Sequence, residues 1–271
     1  MTARRERYHE HVRLCYEAEN ESRVAWLTME RGDKPINAFS PSMVDAMTEA
    51  VDAVSGTVRG LVLTGEEEFS VGANLRSFWE TPREMRPAAI DSMAAASNRF
   101  IRALHAFEGP VLAAVGGTAA GGGLGFALAC DLVAMHEDAV LDTAYARIGL
   151  APDNATPYFL AQALGPYRAR ELLFAPRPIG AEEARNLGLV NVVYDGTPEE
   201  FRAKVSEYAT TVTAGPTKVH AQTKQLVDTA LLGDLDQHLE RERDTIKRTS
   251  ASETFDEGLN AFFEDRTPEW D

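Results

Sequence analysis

The sequence predicts an α/β fold built on a parallel sheet, followed by a helical last quarter. Three observations predict it. Short apolar runs bounded by glycine, such as Gly60-Leu-Val-Leu-Thr-Gly65 and Pro110-Val-Leu-Ala-Ala-Val-Gly116, suit strands covered on both faces. These runs alternate with longer segments of helical period, the order that parallel pairing requires. From about Pro198 onward every segment reads as helix, over 198–214, 216–231, 233–249 and 252–264. The expected division is an α/β core over 1–197 and a helical lid or oligomerisation region over 198–271.

Taken in order, residues 1–20 are polar and either pair or fray, and Arg23-Val-Ala-Trp-Leu-Thr-Met-Glu30 reads as a strand. Arg31-Gly-Asp-Lys-Pro35 is turn chemistry. Ser40 then caps a helix with Pro41 at its first position, running to about Val54. Gly60–Gly65 is a buried strand, Glu66–Leu75 a loop, and 84–107 a long helix. Val111–Val115 is a strand followed by a glycine-rich turn and an apolar helix to about Cys130, and Leu132–Met135 is the next strand. A strand from Ala139 passes into an irregular loop, after which Thr156 caps a helix with Pro157 in its first turn. Gly180 to Tyr194 holds a short helix, a glycine stop and a final strand.

With 271 residues the chain can bury a sizeable core. Forty-two acids against 27 bases leave a net charge of −15 and an isoelectric point near 4.9. That charge argues against nucleic-acid and anionic-membrane partners. Only five bases are lysine (Lys34, Lys204, Lys218, Lys224 and Lys247). This fits a surface suited to high salt, or equally an acidic protein from a GC-rich genome in which Arg replaces Lys. No apolar run reaches membrane-span length and the charged start lacks a secretory core, so the expected location is cytoplasmic. Cys15 and Cys130 make no disulfide framework. The six histidines show no ligand spacing, and neither a metal nor a separate cofactor is expected.

The glycine run from Gly116 to Gly125 admits three readings: a phosphate cradle, an oxyanion site, or a tight strand–helix packing turn without a ligand. No Lys-Ser or Lys-Thr pair follows it, which removes a P-loop, and the dinucleotide spacing fails. A second glycine-containing loop, Val71-Gly-Ala-Asn74, also follows a strand. Two such loops aiming one N–H each at a common point would form an oxyanion hole.

Several segments, in order, carry a resemblance. They are Ile36-Asn-Ala, Phe69-Ser-Val-Gly-Ala-Asn-Leu75, Pro110-Val-Leu-Ala-Ala-Val, Gly121-Gly-Gly-Leu, Ala129-Cys-Asp131, Ile148-Gly-Leu, Glu183-Ala-Arg-Asn-Leu-Gly-Leu-Val190 and the ending from Phe255 to Pro268. Together they cover about residues 20–268 and resemble the crotonase superfamily, the enoyl-CoA hydratase/isomerase family. The resemblance implies a spiral of ββα units, a C-terminal helical trimerisation region, a homotrimer or a hexamer made of two trimers, and an acyl-CoA thioester substrate. It places the two oxyanion N–H groups at Ala73 and Gly122, and CoA contacts at Lys34, Ala38, Ala73 and Leu75. Phe255, Phe263 and Arg266 fall at positions that reach a neighbour's CoA.

The two glutamates of the family's hydratases fall here at Gly125 and Tyr145, neither of which is an acid. One acid stands in the corresponding loop, Asp153 in Leu150-Ala-Pro-Asp-Asn-Ala-Thr. Its position matches the aspartate of single-carboxylate isomerases and the nucleophile of 4-chlorobenzoyl-CoA dehalogenase, whose local sequence Asp153–Tyr158 resembles. The dehalogenase's water-activating histidine, however, falls near Asn98. From the residues alone, Asp153 also reads as a turn or capping residue, and Tyr145 as a packed aromatic or a hydrogen-bond partner of Asp153. The resemblance therefore implies an isomerase that moves a double bond through an enolate, with Asp153 as base. The alternatives are an atypical hydratase, an aspartate-nucleophile aryl-CoA dehalogenase or hydrolase, and a non-catalytic CoA-binding or assembly protein.

Overall fold

The computed structural model describes residues 4–16, 24–30, 32, 36–231 and 235–269. The polar N-terminus pairs: β1 (Arg4–His9) and β2 (Val12–Tyr16) form an antiparallel hairpin against β3 (Val24–Met29). From β3 the sheet continues in parallel through β4 (Gly60–Gly65), β5 (Val111–Val115), β7 (Leu132–His136) and β10 (Val192–Tyr194). A smaller sheet joins β6 (Thr118–Ala120), β8 (Val140–Asp142) and β9 (Ile179–Gly180). Bridges Phe39↔Ala73 and Ser70↔Ala119 extend this second wall toward the N-terminal side. Each turn of chain thus adds a strand to the large sheet, a short extended piece to the second wall, and then a helix. This is the expected ββα spiral.

Alternation along the central strands explains why they read as unbroken apolar runs. Leu61, Leu63, Val111, Ala113 and Val115 face the main core with helices α1 (Pro41–Val54) and α3 (Arg86–Ala106). Val62, Leu112 and Ala114 face the opposite way, where Phe201, Val205 and Ala209 of α7 (Pro198–Thr213) cover them. The later helices lie on this body: α9 (Leu235–Thr249) packs along α3, and α10 (Glu253–Glu264) packs on α2 (Leu75–Glu80) and on the 3-10 turn Tyr145–Ile148. α8 (Thr217–Leu231) precedes them.

Local chemistry accounts for several boundaries. Ser40 Oγ accepts from the Met43 N–H at 3.3 Å and starts α1 with Pro41 behind it. Thr197 and Glu200 form a capping box at the start of α7. Past the expected loop over Glu66–Leu75 comes the short helix α2, started by Asn74 Oδ1 accepting from Arg76 N. Two expectations needed revision. The apolar helix α4 (Gly122–Leu128) stops short of Cys130. α5 (Thr156–Phe174) bends at Gly165-Pro166 and then resumes, and its N-cap is Ala155 rather than Thr156.

The second wall is held to the sheet by one buried side chain. Asn37, 1% exposed, donates through Nδ2 to the carbonyls of Met29 (3.2 Å), Glu68 (3.3 Å) and Phe69 (3.0 Å). Its own carbonyl accepts from Val71 N–H and from Ser70 Oγ. Replacing Asn37 by alanine leaves carbonyls buried without a donor, so chemical denaturation should show a loss of about 2–3 kcal/mol. Asn37→Asp should lose more, because it turns a carboxylate toward those same carbonyls.

Candidate active site

The loop after β4 offers four successive backbone N–H groups. Val71 N–H donates to Asn37 O, Asn74 N–H to Phe39 O, and Gly72 N–H to Ser70 Oγ. The remaining one, on Ala73, has no acceptor among the described residues. The glycine run behaves the same way: Ala120 N–H donates to Ser70 O and Gly121 N–H to Asp142 O, while Gly122 N–H is left at the first turn of α4. Gly72 adopts φ +94°, closed to most residues. A methyl group on it would stand 3.1 Å from both the Ala120 oxygen and the Gly122 nitrogen. Glycine at 72 therefore serves both the turn and the close approach of the two loops.

The 149–155 loop brings Asp153 to the end of α4. Asn154 and Ala155 both take left-handed conformations, φ 53° and 54°, which non-glycine residues adopt only when surroundings impose them. Three hydrogen bonds impose them here. Asn154 Nδ2 donates to Gly122 O at 3.1 Å, Ala155 N–H donates to Glu242 Oε2 at 2.6 Å, and Thr156 N–H donates to Asp153 O at 3.0 Å. The Asp153 side chain does not cap α5. Its Oδ1 accepts instead from the Tyr145 hydroxyl at 2.6 Å.

Asp153 is 7% exposed and Tyr145 6%. Burial pushes the Asp153 carboxyl up to about 7, the Tyr145 hydrogen bond pulls the other way, and the Glu242 carboxylate pushes it further up. Burial and the neighbouring Asp153 hold Tyr145 well above the usual phenol range, so it stays a neutral donor, with the Thr156 hydroxyl beside it. A carboxyl that titrates near neutrality, on a loop bonded through Asn154 to the Gly122 peptide, can take up and return a proton while backbone donors without an acceptor among the described residues hold a negative oxygen.

A sequence profile described as enoyl-CoA hydratase/isomerase matches residues 19–271. The chain belongs to that family. Within this crotonase superfamily it is similar to 4-chlorobenzoyl coenzyme A dehalogenase-2 of an Arthrobacter species, 31% identical over 242 residues covering 88% of this chain and 87% of the relative. It is similar also to 1,2-epoxyphenylacetyl-CoA isomerase of Escherichia coli K12, 30% identical over 254 residues, 92% of this chain and 95% of the relative. The crystal structure of an enoyl-CoA hydratase from Mycobacterium avium subsp. paratuberculosis K-10 superposes with a TM-score of 0.84 at 31% identity, covering 96% of this chain and 98% of that one. These relatives are named for three different reactions on CoA thioesters.

The structure shows what surrounds positions 125 and 145. At position 125 a Cβ would stand 2.4 Å from Asn154 O, 2.6 Å from Asn154 Cβ and 2.8 Å from Thr156 Oγ1. The Asp153 loop fills the space that any side chain at 125 would need. At position 145 the side chain is the phenol bound to Asp153. Asn98, near which the resemblance places the dehalogenase histidine, is buried with its amide given to Leu239 O at 3.2 Å. One residue close to Asp153 had no motif to announce it: Glu242, on α9, reaches the loop from 87 positions away and is buried at 6% exposure.

The expected CoA contacts separate into groups. Lys34 lies outside the described residues. Ala38 and Leu75 flank the Ala73 loop, Ala38 one residue before the Phe39 bridge and Leu75 at the start of α2. Phe263 stacks on Trp79 of the same chain at 4.8 Å, with the Arg76 guanidinium 5.4 Å from its ring centre. One expectation is corrected: Phe255 is 0% exposed and packs into the core of its own chain, leaving no surface for a neighbour's CoA. Arg266 pairs bidentately with Glu257 and also with Glu264 while its side chain stays 38% exposed. At the surface, His136, Glu137 and Asp138 bring ligand atoms within 4.8 Å of one another, but both His136 nitrogens already meet backbone groups of Gly196 and Asp138.

Two outcomes follow from this packing. Gly125→Ala should lose about 1–3 kcal/mol to overpacking and displace Asn154, measured as a lowered Tm together with reduced turnover. The second concerns pH. A carboxyl raised from its ordinary 3.8 to about 7 holds its proton longer in the folded chain. Its contribution to stability is complete below pH 4, falls as pH rises, and is fully lost above about 7, on the order of 4 kcal/mol in all. Asp153→Asn should therefore be more stable than the parent at pH 8, and the gap should close on acidification to pH 4.

Proposed function

We propose that this enzyme moves the double bond of an enoyl-CoA thioester by a single-base proton transfer. The observation that carries the reading is the environment of Asp153. Its buried carboxyl titrates near neutrality, its loop is bonded to the Gly122 peptide through Asn154, and position 125 has no room for a second acid. Asp153 removes a proton alpha to the thioester. The electron pair moves onto the thioester oxygen, which the N–H groups of Ala73 and Gly122 hold as an enolate. The same carboxyl then delivers its proton at the gamma carbon, and the double bond comes to rest one position along the chain. Tyr145 keeps one carboxylate oxygen fixed, leaving the other to face the substrate. A proton affinity near neutrality suits both halves of this cycle.

An aspartate-nucleophile dehalogenase is the second reading, favoured by the 31% identity to such an enzyme and by the shared Asp153–Tyr158 sequence. It is less well supported because the amide of Asn98 is committed to the α9 backbone and no histidine stands at that position to activate the hydrolytic water. Hydration of 2-enoyl-CoA would need a second acid near the substrate. A homotrimer or a hexamer made of two trimers, with the helices beyond 198 at the contacts, completes the proposal.

Incubation with 3-enoyl-CoA, 2-enoyl-CoA and 4-chlorobenzoyl-CoA separates these readings. The isomerase reading expects conversion of 3-enoyl to 2-enoyl-CoA, with kcat lowered about 10²–10⁴-fold in Asp153→Asn and KM little changed. For the parent enzyme kcat/KM should fall tenfold per pH unit below about 7, as the base becomes protonated. Rapid hydration of 2-enoyl-CoA that is indifferent to Asp153→Asn would overturn it, and an aryl ester on Asp153 in mass spectra would select the dehalogenase.

A further inference from the structure

The Asp153 loop is completed from a part of the chain that the catalytic motifs do not include. α9 lies along α3, and on its inward face Glu242 is 6% exposed. Its Oε2 accepts the N–H of Ala155 at 2.6 Å. That N–H belongs to the second of two successive left-handed residues, Asn154 and Ala155. A turn of this kind points its N–H groups away from any regular partner, and an acceptor placed for one of them favours the turn over its relaxed alternatives. The charge-assisted form of the bond makes it stronger than a neutral one.

We propose that Glu242 is a positioning residue of the active site: from α9 it holds the Asp153-Asn154-Ala155 turn in its left-handed form and keeps a second negative charge beside the catalytic carboxyl. The inference rests on the reading of Asp153 as the base. It makes the C-terminal helical segment part of the catalytic apparatus of its own subunit, in addition to any role in assembly.

The charge acts in a definite direction. The titratable groups that Asp153 faces are Tyr145 from the 3-10 turn and Glu242 from α9, and the Glu242 carboxylate favours the protonated form of Asp153. α3 presents Asp91 and Arg102 to α9, where Arg243, Asp236 and Glu240 match them. Burial alone leaves Asp153 raised, and Glu242 adds to that. Removing the charge while keeping an acceptor should therefore lower the pH at which Asp153 ionises without releasing the loop.

Glu242→Gln and Glu242→Ala separate the two functions, because glutamine still offers an oxygen to the Ala155 N–H and alanine offers none. For Glu242→Gln the acid limb of kcat/KM should move to lower pH, on the order of one pH unit, with kcat at pH 8 reduced less than tenfold as the base weakens. Glu242→Ala should lower kcat by about 10–100-fold, with a smaller change in KM, and should lower Tm. The Asp153 carboxyl is titrated separately by infrared or carbon-13 NMR in the parent and in Glu242→Gln, a readout that does not depend on turnover. If this titration does not move, and Glu242→Ala keeps the parent's kcat, the proposal for Glu242 fails. If it moves while the activity profile of the parent shows no Asp153-dependent limb, the base assignment fails and the coupling to Glu242 stands.

Discussion

The contact on which this site depends is the packing of the Asp153 loop against α4. It is made by one hydrogen bond, Asn154 Nδ2 to Gly122 O, and by the close approach of Asn154 and Thr156 to Gly125. The peptide group that offers its N–H at Gly122 is followed by a carbonyl anchored to the residue after Asp153. Donor and base are thereby held in one rigid unit, and a displacement of either moves the other. Small residues along α4 are the condition for that approach, since any side chain at 125 would push the loop away.

Holding a carboxyl in this place is costly to the fold. Burial raises its proton affinity, two non-glycine residues take left-handed conformations, and a second carboxylate stands nearby. The surrounding structure compensates. Phe39, Phe100 and Phe126 pack with ring centres about 5 Å apart, and Asn37 ties the second wall to the sheet through three carbonyls. Rigid neighbours and a destabilised polar centre are the arrangement expected where proton transfer is the task.

The family relatives share this frame and carry names for three reactions. In this chain the frame supplies backbone donors at Ala73 and Gly122, which need no particular side chain. Positions 125 on α4 and 145 on the 3-10 turn are glycine and tyrosine, and the buried acids of this region, Asp153 and Glu242, come from the loop before α5 and from α9. A chain with charge −15 has many carboxylates, and four described ones are buried: Glu30, Asp142, Asp153 and Glu242. Glu30 and Asp142 are paired with arginines, whereas Asp153 accepts from a neutral phenol.

What the sequence determined by itself was local or repeated. Strands such as Gly60–Gly65 and Val111–Val115 match their observed limits because apolar runs between glycines leave little freedom. Ser40 and Pro41 set the start of α1 through a bond spanning three residues. The resemblance placed Ala73, Gly122 and Asp153 on the loops that converge, since each rests on a motif of a few adjacent residues. Tertiary structure decided the rest. Phe255 looks like a surface aromatic on an amphipathic helix, and only the docking of α10 on the 3-10 turn buries it. α2 is six residues long, too short for periodicity to announce. Glu242 is one of many acids on a helix of solvated appearance, and nothing near it in sequence marks it. Its meaning arises from a contact across 87 positions, set by how α9 lies on α3, and no local pattern encodes such a distance.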